Sequence, residues 1–171
     1  MINLKQEMRE MFEKHSAMEF NERNSRLEEG LLEKIINLAF ANLCPYSGSH
    51  WQIIAVRTPI MLQKLYRHLN DKRILDSSVA LLVTCPCCGQ ESGSMEGDIG
   101  LLSLSLAYSA KYYCIGSFVT RSFDSDALVR EFSLKTQCPV TAVAGLGTYH
   151  EIPAPLTMHK RYVYSDIVRE L

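Results

Sequence analysis

Apolar positions recur along this chain with two periods, and the alternation of those periods outlines its elements. Leu4, Met8, Met11 and Phe12 stand at helical spacing and predict a first helix that ends near the cluster Lys14, His15 and Ser16. A second helix is predicted after Ser25 and Glu28, which form a capping box, with Leu31, Ile35, Leu38, Ala39 and Phe40 on one face and Pro45 as its stop. "HWQIIAV" then reads as a strand. "PIMLQKLYRHLN" reads as a helix with Pro59 in its first turn. "SSVALLVTC" is an apolar strand that contains β-branched residues, and "PCCGQESGSMEG" after it reads as a loop.

The next segment, "DIGLLSLSLAYSAKYY", is apolar nearly all round and carries small serines and alanines. Such a helix is buried on most faces, either at the centre of the molecule or shared with a partner. "CIGSFVT" predicts a strand, "SDALVREFSL" a short helix capped by Asp124 or Ser125, and "PVTAVAGLGTY" a strand rich in small residues. The tail "HEIPAPLTMHKRYVYSDIVREL" has little core signal until its end; a polar, proline-containing tail of this kind often wraps a neighbour. Strands and helices that alternate in this way give a layered sheet with helices on its faces.

Composition narrows the function classes. The 171 residues suit one domain spanning 1–171, and an apolar share of 47% is that of a globular chain. A net charge of −1 argues against nucleic-acid binding driven by bulk charge. Met1 opens a polar, amphipathic stretch unlike a signal peptide, and the longest apolar run is too short to span a bilayer. A cytoplasmic location is therefore expected, with no membrane partner and with the six cysteines mostly reduced.

Local chemistry is sparse. Cys85 and Cys88 form a C-x-x-C with Cys87 between them, which is half of a zinc knuckle pair. Cys44, Cys114 and Cys138 stand alone, and no H-x3-H completes a site. The plain alternative is a reduced loop at a strand end. The five histidines are scattered, and neither a zincin helix nor a nucleophile elbow is present. No G-x-G-x-x-G follows the early strand, and "GLG" at Gly145 to Gly147 reads as a packing feature. Three polar spots remain: Lys14-His15-Ser16, the turn "CPYSGSHW", and His159-Lys160-Arg161. Each alone is an ordinary solvated spot, although cations beside a hydroxyl also suit a phosphate.

Taken in order, these segments resemble the FMN-dependent nitroreductase family. That family opens with a helix ending in Arg-(Arg/His)-Ser-x-(Arg/Lys)-x-Phe, and here Lys14-His15-Ser16-Ala17-Met18-Glu19-Phe20 stands in that place. Its Pro-Ser-x-x-Asn-x-Gln-Pro-Trp turn and strand correspond to Cys44-Pro45-Tyr46-Ser47-Gly48-Ser49-His50-Trp51 followed by "IIAV". Asp98 opens the long small-residue helix, "REFSL" matches the short helix near Phe-Gly-Leu, "AVAGLG" matches a strand ending near glycine, and Arg161 precedes Ile167-Val168 as in the family's last segment. The likeness covers essentially the whole chain in order.

The resemblance implies an α+β sandwich, with a central sheet flanked by helices and a C-terminal tail wrapping the partner subunit. It implies a homodimer with FMN at the interface and two-electron transfer from NADH or NADPH, through the flavin, to a small acceptor such as a nitroaromatic or quinone. By the same carry-over, Lys14 and Arg161, with Lys160 beside the latter, would meet the FMN phosphate. Ser16 would donate a hydroxyl and His15 would lie alongside. Pro45, Tyr46, Ser47, Gly48 and Ser49 would line the partner's flavin ring. Val119, Thr120 and Arg121 would pass the pyrimidine face near N5, where a backbone N–H tunes the reduced anion. No metal is implied. Met18 replaces a basic residue of the family pattern, the turn's Asn and Gln are replaced in a shorter loop by Ser49 and His50, and Arg121 stands where many members carry Glu. The alternatives are a flavin-binding relative without turnover and a metal-binding module organised by Cys85 and Cys88.

Overall fold

The structure is a computed structural model, and it describes residues 18–20, 27–41, 51–84, 92–134 and 139–151. The chain divides into two units, Met1–Met18 with Glu151–Leu171, and Glu19–His150. Almost all described residues belong to the second. Its centre is a four-stranded antiparallel sheet in the order β2-β3-β5-β4, made of β2 (Gln52–Val56), β3 (Val79–Thr84), β4 (Gly116–Thr120) and β5 (Val140–Gly147).

Every residue of β3 is buried, because this strand has a paired neighbour on both sides and helices over both faces. Its period-2 alternation separates two cores. Val79, Leu81 and Val83 point into one, with Ala142, Ala144 and Leu146 of β5. Ala80 and Leu82 point into the other, with Val143, Val140 and Phe118. Val140 and Val143 share a face despite their odd spacing because the β3–β5 register shifts between Val83 and Thr84.

Helices α1 (Glu29–Ala41) and α3 (Ser92–Tyr112) cover the first face. Leu32, Ile35 and Ala39 are the buried residues of α1, with Leu31, Ile36 and Phe40 flanking them and Leu38 half-buried. The apolar stripe is thus rotated slightly from the predicted one, with Leu32 rather than Leu31 among its buried residues. Ser25, the first member of the predicted capping box, lies outside the described residues.

Helix α2 (Pro59–Tyr66), a 3₁₀ turn (Lys72–Asp76) and helix α4 (Ser125–Glu131) cover the second face. Thr58 caps α2, its Oγ1 accepting from Met61 N–H at 3.3 Å, and Pro59 occupies the first turn. Asp124 caps α4 by accepting from Ala127 N–H at 3.0 Å, which decides between the two candidate caps.

The structure departs from the predicted elements at several boundaries. Helix α3 begins at Ser92 rather than Asp98, inside the segment read as loop. Glycines there cost about 1 kcal/mol each in a helix. Propagation from the anchored turns at Ile99, Leu102 and Leu106 offsets that cost. Helix α2 ends at Tyr66 rather than Asn70, because Leu69 leaves it to bridge Phe123. The last strand breaks at Thr148. Tyr149–Glu151 forms β6, which pairs instead with β1 (Met18–Phe20) in a separate two-stranded sheet.

Gly145 sits opposite Phe118 across the β4–β5 ladder. A Cβ there would collide with the Phe118 ring and Ser77 Oγ, so this glycine is a close-approach position, as its place in a strand suggested.

Candidate functional site

Of the nominated residues, Val119, Thr120 and Arg121 are described; they form the end of β4 and the first residue beyond it. Lys14, His15, Ser16, Pro45, Tyr46, Ser47, Gly48, Ser49, Lys160 and Arg161 lie outside the described residues. The cysteines of the half-knuckle, Cys85, Cys87 and Cys88, lie outside them too. Among the described residues no cluster of His, Cys, Asp and Glu could hold a metal ion.

β4 is an outer strand of the described sheet, so the ladder groups on its far side are not used by the sheet. Successive residues point to opposite faces. Phe118 is buried in the α2–α4 core, 5.7 Å from the Phe20 ring, and the Arg73 guanidinium lies 4.4 Å from its centroid. Val119 packs on the α1–α3 core. At Thr120 the chain turns out of the sheet, and Thr120 Oγ1 accepts from Ser122 N–H at 3.2 Å. This side-chain turn substitutes for the next rung of the ladder. Arg121 and Ser122 are exposed.

The end of α2 meets this connector. Asn70 N–H donates to Ser122 O at 3.4 Å, and Asn70 Nδ2 donates to Ser122 Oγ at 3.4 Å. Leu69, buried, bridges Phe123. Asp71 follows and takes Arg73 in a fork, with Arg73 Nε at 3.0 Å and Nη2 at 2.6 Å from its two carboxylate oxygens. The hydrogen bond from Arg73 holds the Asp71 carboxyl below the usual carboxylate range, and the same bond pushes Arg73 up.

A second ion pair ties α2 to α4. Lys64 Nζ lies 3.1 Å from Glu131, whose carboxyl is held low chiefly by the Lys64 hydrogen bond. His68 Nε2 is 3.6 Å from the other Glu131 oxygen, too long for a hydrogen bond. The site end of β4 is therefore set on a frame of α2, the 3₁₀ turn and α4. Asn70 and Ser122 were not singled out in the sequence, since a pairing across 52 positions has no local signature.

The long apolar helix is not central within the chain. Ile99, Leu102, Leu106 and Ala110 of α3 pack inward, while Leu101, Leu104 and Tyr112 are exposed on the opposite side. Gly97 and Gly100 of the same outer side face open space. No helix among the described residues is long and apolar enough to cross a membrane.

No family model matches this chain, and no curated protein matches it. Solved structures do. A nitroreductase-like protein of Streptococcus mutans superposes with a TM-score of 0.79 over 99% of this chain and 100% of its own, at 12% identity. An NAD(P)H nitroreductase-type protein of Parabacteroides distasonis, also described as an NADH dehydrogenase, gives 0.76 over 96% and 97%, at 16% identity. An FMN-dependent nitroreductase of Clostridium difficile gives 0.69 over 90% and 91%, at 14% identity. The chain has the nitroreductase fold, the α+β sandwich expected from its ordered motifs.

Proposed function

We propose that this chain is an FMN-dependent oxidoreductase of the nitroreductase family. It works as a homodimer and carries electron pairs from NADH or NADPH to a small acceptor such as a nitroaromatic or quinone. The observation that supports this best is the likeness over nearly the full length of both chains, with FMN and NAD(P)H in the names of structures sharing the fold. The exposed apolar side of α3 supports the dimer. Leu101, Leu104 and Tyr112 are 52%, 50% and 74% exposed on one helix, and a second copy of the same surface would cover them.

The described end of the proposed site suits a flavin's pyrimidine ring in its chemistry. An outer strand edge offers backbone N–H groups to ring carbonyls and nitrogens, and the exposed Arg121 guanidinium suits the negative charge of the reduced ring. In this proposal Lys14 and Arg161 hold the FMN phosphate, with Lys160 close by, Ser16 as hydroxyl donor and His15 beside it. Pro45, Tyr46, Ser47, Gly48 and Ser49 line the ring of the partner's flavin. Bound FMN would supply the redox chemistry; the protein's residues bind it, orient it and exclude water from it.

The test is FMN uptake. Purified protein mixed with excess FMN and desalted should stay yellow, with one FMN per subunit, and sediment as a dimer. Lys14→Ala with Arg161→Ala should weaken FMN binding by at least about tenfold, since each removes a charge-assisted bond. Unchanged affinity in that double variant would show the phosphate assignment to be wrong. A colourless protein that sediments as a monomer would overturn the whole reading.

A further inference from the structure

Residues 120–123 cross from β4 toward α4 as a connector whose middle is exposed, yet the connector is held at many points. Leu69 bridges Phe123. Asn70 grips Ser122 twice, through its backbone N–H and through Nδ2, both at 3.4 Å. Ser122 N–H is in turn held by Thr120 Oγ1. The near end is fixed by the β4–β5 ladder and the far end by the Asp124 cap. Asn70 and Ser122 are exposed, and hydrogen bonds in contact with water add little to global folding. Their effect is local. The backbone at Arg121 cannot rotate without breaking the link to the end of α2, and Leu69 anchors that end in the core.

We propose that Asn70 and Ser122 are positioning residues. They hold the Thr120–Arg121 backbone in one conformation against the flavin's pyrimidine edge, and so set how strongly the site prefers reduced over oxidised flavin. This rests on the flavin reading above. The reduced ring carries more negative charge than the oxidised one. A donor or cation aimed at that charge is effective when it is fixed in advance, and far less so when it must be ordered at the moment of reduction. The brace supplies that fixing from outside the site, without contact with the ring.

The experiment compares the two-electron midpoint potential of bound FMN in wild type, Asn70→Ala, Ser122→Ala, the double variant and Ser122→Thr. Dissociation constants for oxidised FMN and denaturant midpoints are measured alongside. Each alanine variant should lose about tenfold in the preference for reduced flavin, a smaller loss than removing a donor outright. That places its potential about 30 mV more negative. The double variant should shift no further than either single one, because both remove the same bond. Ser122→Thr keeps the hydroxyl and should stay at the wild-type potential. Denaturant midpoints should barely move.

If wild type binds FMN and the alanine variants titrate at its potential, the positioning role is wrong while the flavin reading stands. If the single shifts add, the two residues do not act as one brace and the proposal fails. If wild type takes up no FMN, the flavin reading fails and the proposal falls with it.

Discussion

The two sides of α3 are made of similar residues and meet opposite surroundings. On the inner side Leu102 and Leu106 are 1% exposed, packed on the sheet and on α1; on the outer side Leu101 and Leu104 are about half exposed. Burying a leucine in water-free packing is worth about 1.5–3 kcal/mol. The inner side draws that within the chain. Among the described residues nothing packs on the outer side closely enough to bury it in the same way. Hydropathy marks both sides as alike, and the fold shows which one is packed and which one is exposed.

The sharpest way to break this comparison is a charge on the outer side. Leu104→Glu should leave the circular dichroism spectrum of the fold intact and drive the proposed dimer to monomer. A buried unpaired carboxylate costs several kcal/mol, and a two-fold interface counts it twice. Sedimentation equilibrium reads the outcome; a variant that dimerises as wild type would mean the outer side is not the interface. Next in size is the inner side. Leu106→Ala should destabilise the fold by about 2–5 kcal/mol in a denaturant titration, and the same truncation at Leu104, measured in a monomeric background, by less than about 1 kcal/mol.

The end of the helix allows a finer test. Cys114 N–H and Ile115 N–H bond back to Lys111 O and Ala110 O, each at 2.9 Å, a Schellman ending that puts Cys114 at φ 57°. A cysteine there carries a strain that glycine avoids. Cys114→Gly should therefore raise stability by about 0.5–1 kcal/mol without altering the proposed dimer.

The smallest effect lies across the sheet, at Lys64–Glu131. Glu131 is held below its ordinary value, so its contribution is complete above the usual carboxylate range and is lost as pH falls through the lowered native value. Glu131→Gln should flatten the acid limb of a stability–pH profile and leave the sedimentation profile unchanged. A change in dimerisation would tie that face to the interface as well.

These contrasts also show what the amino-acid pattern could and could not carry. β3 was legible because "VALLVT" is apolar at every position, as a strand covered on both faces must be. The ending of β5 was not, because Tyr149 continues the apolar alternation of a strand that in space has already changed sheets. The early start of α3 was hidden by Gly93 and Gly97, whose local preference is overridden by packing further along. The proposed site was legible only as an ordered resemblance. Its cations and hydroxyls stand far apart in the chain, and nothing in the local sequence at Asn70 or Ser122 announces that they meet.

The most direct single measurement is anaerobic. Protein loaded with FMN and freed of excess flavin is titrated with NADH and separately with NADPH while its visible absorption is followed. An oxidoreductase of the proposed kind should bleach with one of the two at about one equivalent per flavin, and regain its colour when a quinone or nitroaromatic is added. A yellow protein that neither donor bleaches would contradict the proposed activity and leave a flavin-binding protein without turnover.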